Sequence, residues 1–93
     1  MAIQSFKCKD TRTLFSGTRV KRFVNIEAVA RRKLTALHAA VHLQDLASPP
    51  GNQLEALKDD RKGQHSIRIN GQWRVCFVWT DSGPANVEIV DYH

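Results

Sequence analysis

The residues best suited to proton transfer stand at the end of the sequence. Asp91, Tyr92 and His93 follow an alternating apolar stretch, Val87 to Ile89, that predicts a β-strand. A phenol and an imidazole held by a sheet can both hydrogen-bond a reacting group, and an imidazole can move a proton near neutral pH. We therefore expect these side chains to form part of a site and not a frayed tail.

Two arginines on either side of Asn70-Gly71 are predicted to face each other. In both flanking strands apolar and polar side chains alternate, and Arg68 and Arg74 fall opposite the apolar face. The Asn-Gly dipeptide favours a two-residue turn, but that register would put the two apolar faces on opposite sides of the sheet. Burial should override the turn preference. We predict a three-residue loop, 70–72, and a pair of facing arginines that we call the arginine row.

The last hairpin is predicted to extend the arginine row onto a third strand. The polar run 80–85 supplies the turn, and pairing Trp79 with Val87 keeps the apolar side chains on one face. The same register pairs Arg74 with Tyr92. The row would then cross three strands on the sheet face away from the helices.

The arginine row predicts a phosphate site. Two adjacent guanidinium groups repel each other unless an anion lies between them, and their paired N–H donors match phosphate oxygens. An alternative is that the arginines pair with Glu88 or Asp91 on a solvated sheet face.

The elements that position these residues predict an α+β fold in the order β-α-α-β-β-β, with helices packed on one face of the sheet. Residues 2–7 form a short strand, and Lys9 to Phe15 a brief helix ended by Gly17. The main helix has Asn25 as its predicted N-cap and an apolar stripe of period 3.6. The stripe comprises Ile26, Ala30, Leu34, Leu37 and Val41.

The polar segment between the main helix and the hairpins contains one predicted anchor. Leu54 and Leu57, three residues apart, predict a single helical turn that directs Lys58 outward. Glu55 either acts as a general base or balances Lys58 on the surface. Long loops of this kind commonly carry functional residues.

Composition indicates one small domain over residues 1–93, because a chain of this length builds a single core. No apolar run approaches the ~20 residues of a spanning helix, and residues 1–9 lack a secretory apolar stretch. We expect a cytoplasmic protein without membrane association. Cys8 and Cys76 lie outside any Cys-x-x-Cys pair, which predicts two reduced thiols.

Positive charge is concentrated in the first third of the chain. Residues 1–33 carry a balance of +7, whereas the remaining sixty carry −2. Such a surface suits nucleic acid, although solvated charge or an acidic protein partner fits the composition equally. His38 and His42 have the spacing of a metal pair, but no further Cys, Asp or Glu completes a ligand set, so no metal site is predicted.

Six segments, taken in their order and spacing, resemble the HigB toxins of bacterial toxin–antitoxin modules, within the RelE superfamily and nearest its GraT-like branch. These segments are Ser5-Phe6, Ser48 to Asn52, Leu54 to Lys58, Gly63 to Ser66, Gln72 to Phe77 and Glu88 to His93. The resemblance covers nearly the whole chain.

The resemblance implies a metal-free endoribonuclease without a cofactor that cuts messenger RNA in the ribosomal A site. The ribose 2′-hydroxyl attacks the adjacent phosphorus, giving a cyclic phosphate and a 5′-hydroxyl. This chemistry needs a base, cations for the developing charge and an acid for the leaving oxygen. The implied fold is a curved, mainly antiparallel sheet with the site opposite the helices, which agrees with the strand alternation.

Matching motifs imply the catalytic residues on the loop and the first hairpin. Lys58 matches a catalytic lysine that supports charge or acts as base, and Arg74 matches an arginine that follows a strand-opening aromatic. Arg68 is assigned with Arg74 to phosphate charge. Some HigB relatives have a histidine where Glu55 stands, so the general base stays open between Lys58, Glu55 and His93.

The terminal stretch completes the implied site. Asp91, Tyr92 and His93 match the catalytic end of the family, with Tyr92 orienting or stacking on the substrate and His93 transferring a proton. Further RNA contacts are predicted at Arg61, Lys62, His65, Lys21, Arg22, Arg31 and Arg32.

The implied partners are messenger RNA, the 30S A site of the ribosome and a HigA-type antitoxin. The toxin alone is expected to be monomeric, and to form a hetero-oligomer with its antitoxin. A reading from another class is a non-catalytic basic protein that binds RNA or an antitoxin-like partner and uses the arginine row only for phosphate contact.

Overall fold

The computed structural model describes residues 2–91, in which two α-helices precede a four-stranded antiparallel sheet of order β1-β2-β3-β4. The helices are α1 (Lys9–Phe15) and α2 (Glu27–Ala39). The strands are β1 (Glu55–Ala56), β2 (His65–Arg68), β3 (Trp73–Thr80) and β4 (Gly83–Asp91). Short 3₁₀ helices span Lys21–Phe23, Leu43–Ala47, Pro50–Asn52 and Asp59–Arg61. The predicted α+β class is confirmed.

The core lies between the helices and one face of the sheet. Leu34 and Leu37 of α2 are fully buried, as are Val75 and Phe77 of β3. Strand alternation sends the neighbouring polar side chains of β2 and β3 to the other face. The helices therefore occupy the side opposite the arginine row, as predicted.

The hairpin between β2 and β3 has the predicted register, with Arg68 directly opposite Arg74. The backbone N–H of Ile69 donates to the carbonyl oxygen of Trp73 at 2.9 Å, which leaves residues 70–72 as the loop. The Asn70 side-chain oxygen accepts hydrogen bonds from the backbone N–H groups of Gln72 and Trp73, each at 2.8 Å. Asn70 thus caps the longer loop instead of forming a two-residue turn with Gly71.

The predicted register of the second hairpin is wrong. Trp79 pairs with Pro84 and not with Val87, because the turn is limited to residues 81–82. A bulge follows at Asn86, whose φ of 52° lies in the left-handed region. Arg74 consequently faces Val90, so the predicted pairing of Arg74 with Tyr92 does not occur.

The first residues of the chain cover the outer edge of β4 without forming the predicted strand. Phe6 makes an isolated parallel bridge with Val87. The N–H of Val87 donates to the Ser5 carbonyl oxygen at 3.1 Å, and the N–H of Lys7 to the Val87 carbonyl oxygen at 3.0 Å. The Ser5 hydroxyl also accepts a hydrogen bond from the N–H of Asn86 at 2.9 Å, which satisfies the bulge.

Residues 54–58 are extended and do not form the predicted helical turn. Glu55 pairs with Ser66 and Ala56 with His65, which makes β1 the edge strand beside β2. The N–H of Leu57 donates to the carbonyl oxygen of Gln64 at 2.9 Å, and the Leu57 side chain is buried. Backbone pairing with β2 favours the extended conformation more strongly than the spacing of Leu54 and Leu57 favours a helical turn.

The main helix is shorter at both ends than its sequence pattern predicts. Ile26 occupies the N-cap position, so Asn25 does not cap the helix. The helix ends at Ala39 because Ala40 is extended, and Val41 is 54% exposed beyond it. Within residues 2–91, no helix has the length and apolar character needed to cross a membrane.

We predict that Thr11→Val destabilises the fold by about 1–3 kcal/mol, because the buried Thr11 hydroxyl accepts the N–H of Ile89 at 3.0 Å. Valine keeps the shape but leaves that N–H without its acceptor. Urea unfolding measures the change. The matched control is Thr13→Val on the same helix, where the hydroxyl donates only to the Lys9 carbonyl oxygen near solvent. Equal losses in both variants would contradict this role for Thr11.

Candidate active site

The centre of the polar sheet face is the buried guanidinium of Arg74. The residue is only 8% exposed. Its Nε donates to the Ser66 hydroxyl at 2.7 Å, and Nη2 donates to the Gln53 carbonyl oxygen at 2.6 Å. Buried charged groups are stable only when their donors are satisfied. These two acceptors therefore fix the plane of the guanidinium.

Arg68 supplies the second cation of the arginine row and is half-buried. Its guanidinium reaches toward the hairpin loop, where a Cβ added at Gly71 would lie 3.8 Å from Nη2 of Arg68. The two arginines thus share one sheet face with different freedom. Arg74 is held from two sides, and Arg68 lies nearer to solvent.

Glu55 and Lys58 are brought together at the edge of this face. Both are exposed and line one cavity of about 250 Å³ with Ala56, Leu57 and Asp59. Glu55 is also the cross-strand partner of Ser66, the residue that anchors Arg74. Glu55 is therefore one residue removed from Arg74, and Lys58 shares a cavity with Glu55 at the end of the edge strand and not on a helical turn.

Glu88 lies in the cross-strand row that begins with Glu55 and Ser66, next to the arginine row. Its carboxylate pairs with two cations that do not belong to the arginine row. Arg61 donates to its carboxylate at 2.9 Å, and Lys7 lies 3.8 Å from the same oxygen. Arg61 also donates to the Gln64 side-chain oxygen at 3.2 Å. The Glu88 contact thus ties the 3₁₀ turn that follows Lys58 to β4.

Cys76 lies beneath these charges, fully buried between Ser66 and Glu88 in the cross-strand row. Burial raises the pKa of its thiol, against the opposing effect of Arg61. The thiol therefore stays protonated at neutral pH and is a poor nucleophile. Cys8 and Cys76 are both free, as predicted.

A family model described as "RelE-like toxin of type II toxin-antitoxin system HigB" matches residues 4–93. Toxin HigB-1 of Vibrio cholerae is 39% identical over 88 residues, which cover 92% of each chain. The chain belongs to the HigB-like toxin family. An uncharacterized protein of Haemophilus influenzae is 33% identical over 73 residues, covering 78% of this chain and 72% of that protein.

As a type II toxin, this HigB-like protein pairs with an antitoxin. The basic residues predicted for RNA contact on the first third lie in the helix layer, on the other side of the sheet from the arginine row. Lys21 and Arg32 are exposed there. Arg22 pairs with Asp10 at 3.2 Å, and Arg31 pairs with Glu27 at 3.0 Å. The structure therefore separates two charged regions that one sequence could not distinguish.

The remaining predicted residues of the HigB-like toxin are dispersed. Lys62 is exposed on the loop after Arg61. His65 lies on the helix side of the sheet, with its ring stacked on Phe77 at 6.3 Å, which favours packing over RNA contact. Asp91 is exposed, faces Trp73 across the sheet and accepts a hydrogen bond from Gln72 at 3.1 Å. Its strand position places it on the opposite face from Arg74. Tyr92 and His93 lie outside the described residues.

His38 and His42, which have the sequence spacing of a metal pair, do not lie on the same element. His38 is on α2 but His42 is beyond its end, so the two are not on one helical face. The Nδ1 atom of His38 accepts the N–H of Ile3 at 3.2 Å. No group of three or more His, Cys, Asp or Glu side chains among residues 2–91 is arranged to hold a metal ion.

Sequence reasoning missed two of the acceptors that hold Arg74, the Ser66 hydroxyl and the Gln53 carbonyl oxygen. Ser66 could have been found, because strand alternation already placed it on the face of Arg68. The Gln53 carbonyl oxygen could not, because every residue carries one and only the folded loop shows which of them reaches an arginine.

We predict that iodoacetamide modifies Cys8 of the folded toxin roughly tenfold or more faster than Cys76, because Cys76 is buried and its pKa is raised. Mass spectrometry of the peptides measures the ratio.

The raised pKa of Cys76 also predicts that stability falls as pH rises above about 9, where the unfolded thiol ionises and the folded thiol does not. Cys76→Ala should lose that part of the decline and Cys8→Ala should keep it. Equal labelling of both thiols in the folded state would contradict the placement of Cys76.

Proposed function

We propose that this HigB-like toxin is a ribosome-dependent endoribonuclease that cleaves messenger RNA in the A site. The observation that carries the proposal is the arginine row, with Arg74 fixed by Ser66 and Gln53 on the sheet face opposite the helices. A preorganised guanidinium stabilises charge that develops on a phosphate without having to reorganise first. Arg68, being closer to solvent, supplies the second cation.

The proposed reaction is attack of a ribose 2′-hydroxyl on the adjacent phosphorus. The new oxygen–phosphorus bond closes a 2′,3′-cyclic phosphate as the bond to the 5′-oxygen breaks, and that oxygen takes up a proton. Lys58 and Glu55 line one cavity at the edge of the sheet and are the candidates for the base that takes the 2′-hydroxyl proton or for further charge stabilisation. His93 is the proposed proton donor or base, Tyr92 orients or stacks on the substrate, and Asp91 belongs to the same terminal stretch. The scheme uses side chains alone, without a metal or cofactor.

The second charged region is proposed to dock the toxin. Exposed lysines and arginines of the helix layer give the phosphate-rich 30S surface a complementary face. The proposed complex with a HigA-type antitoxin is a hetero-oligomer, and the toxin alone is a monomer.

One observation favours the non-catalytic alternative. A guanidinium that is 8% exposed and donates to the Ser66 hydroxyl and to the carbonyl oxygens of Gln53 and Ser66 can serve the fold alone. Under that reading, Arg74 crosslinks β2 and the Gln53 loop, and the protein acts by binding RNA or its antitoxin.

We predict that Arg74→Ala reduces A-site cleavage by about 10²–10³-fold, because it removes a preorganised cation from the phosphate. Arg74→Lys should recover little, since an ammonium cannot reach Ser66 and Gln53 in the same plane. The measurement is primer extension on messenger RNA in a purified translation system, with thermal melts to confirm folding. His93→Ala is measured alongside. Wild-type cleavage by folded Arg74→Ala and His93→Ala would reject the catalytic proposal in favour of binding alone.

We predict that the double variant Lys21→Glu and Arg32→Glu weakens 30S association about tenfold at physiological salt, because it replaces two phosphate-facing cations. Cosedimentation at several salt concentrations measures the effect, and the variant should show a shallower salt dependence. Antitoxin binding, measured by calorimetry, separates the two proposed partners. Unchanged 30S affinity together with lost antitoxin binding would show that the helix layer serves the antitoxin.

A further inference from the structure

The acceptor that fixes the outer side of Arg74 belongs to a short loop with an unusual backbone. Gln53 directly follows the 3₁₀ helix Pro50–Asn52 and has a φ of 46°, in the left-handed region that residues with a side chain rarely adopt. Its carbonyl oxygen accepts from Nη2 of Arg74 at 2.6 Å. A disfavoured conformation of this kind persists only when its surroundings over-determine it. Something in the loop must therefore hold Gln53.

Asn52 is the residue that holds this loop. It is 1% exposed, and its Nδ2 donates to the carbonyl oxygens of Leu46 at 3.0 Å and Ser48 at 3.2 Å. Its Oδ1 accepts a hydrogen bond from the Lys33 ammonium of α2. Both amide N–H groups and the amide oxygen are thus engaged. A buried asparagine with every group satisfied fixes the chain on both sides of itself.

Lys33 connects the loop to the helix layer. Its side chain is half-buried on α2, and desolvation, followed by repulsion from Arg32, lowers its pKa. An ammonium in this position gains from a fixed acceptor, which Asn52 supplies. Two hydrogen bonds therefore connect α2 to Arg74, one from Lys33 to Asn52 and one from Arg74 to the Gln53 carbonyl oxygen, and the peptide bond between Asn52 and Gln53 joins them.

We infer that Asn52 is a positioning residue for Arg74. It sets the Gln53 carbonyl oxygen so that, together with the Ser66 hydroxyl, it holds the guanidinium in the plane in which a phosphate would meet it. The effect on cleavage depends on the proposed function, whereas the effect on the geometry of Arg74 does not. This difference allows the two to be tested separately.

The geometry is tested first, by nuclear magnetic resonance of the arginine side chains in the purified chain. The Arg74 Nε–H signal, identified by its loss in Arg74→Ala, should exchange slowly with solvent because it is buried against Ser66. Asn52→Ala should speed that exchange about tenfold while amide protection in β2 and β3 is retained. The matched control is Asn25→Ala, an exposed asparagine that makes no cap hydrogen bond to α2, which should leave the signal unchanged.

Two further variants distinguish the hydrogen bonds that Asn52 donates within the loop from the one that it accepts from Lys33. Asn52→Asp keeps an oxygen for Lys33 but loses the donors to Leu46 and Ser48, so its Arg74 exchange should resemble that of Asn52→Ala. Lys33→Met removes only the link to α2 and should raise the exchange rate by a smaller factor, about threefold. If Asn52→Ala does not fold, these two variants decide the question.

Cleavage kinetics then test the consequence. Asn52→Ala and Ser66→Ala should lower kcat about tenfold with KM within a factor of about two, since a misplaced guanidinium is felt chiefly in the transition state. Ser66→Thr, which keeps the hydroxyl, should recover most of the loss.

The outcomes separate the inference from the function. A wild-type toxin that cleaves nothing rejects the proposed function, while faster Arg74 exchange in Asn52→Ala would still support positioning. An Arg74 signal unchanged in folded Asn52→Ala and Asn52→Asp overturns the positioning role. The same holds if cleavage falls only in proportion to the folded fraction.

Discussion

Ile67, Val75 and Phe77 have no exposed surface, and their packing beneath α2 determines the arrangement of the opposite side of the sheet. Burying side chains of this size contributes about 1.5–3 kcal/mol each, more than a turn preference does. A slip of one residue between β2 and β3 would put Ile67 on the opposite face from Val75 and Phe77, so that one strand would expose its apolar side chains and turn its arginine toward the core. The arginine row is therefore a consequence of apolar packing on the other face.

The same constraint explains which parts of the fold could be predicted. Arg68 opposite Arg74 follows from two-residue periodicity, which any reading of the chain can use. The register of β4 could not be found in this way, because it depends on a tight turn and on a bulge at Asn86 satisfied by Ser5, 81 residues away. The extended path of residues 54–58 was equally hidden, since its cause is the backbone of β2.

The candidate site likewise has residues that the sequence predicts and residues that only the folded structure reveals. Charged side chains such as Lys58 and Glu55 are visible in a sequence, and family resemblance gives them roles. The groups that orient Arg74 are the Ser66 hydroxyl and the Gln53 carbonyl oxygen. The buried Asn52 holds the loop that carries the second of them. Reactive side chains are easier to find in a sequence than the groups that orient them, because orientation is a property of the folded backbone.

The bridge between Phe6 and Val87 joins segments that are synthesised at opposite ends of translation. Contacts of such large sequence separation form late, because the intervening chain must be ordered or closed as a long loop first. During synthesis α1 and α2 emerge well before the strands that cover their apolar faces. Residues 5–7 have no β4 edge to cover until residue 87 has left the exit tunnel. The complete fold of this toxin, with the Phe6–Val87 bridge in place, therefore requires nearly the whole chain to have been synthesised.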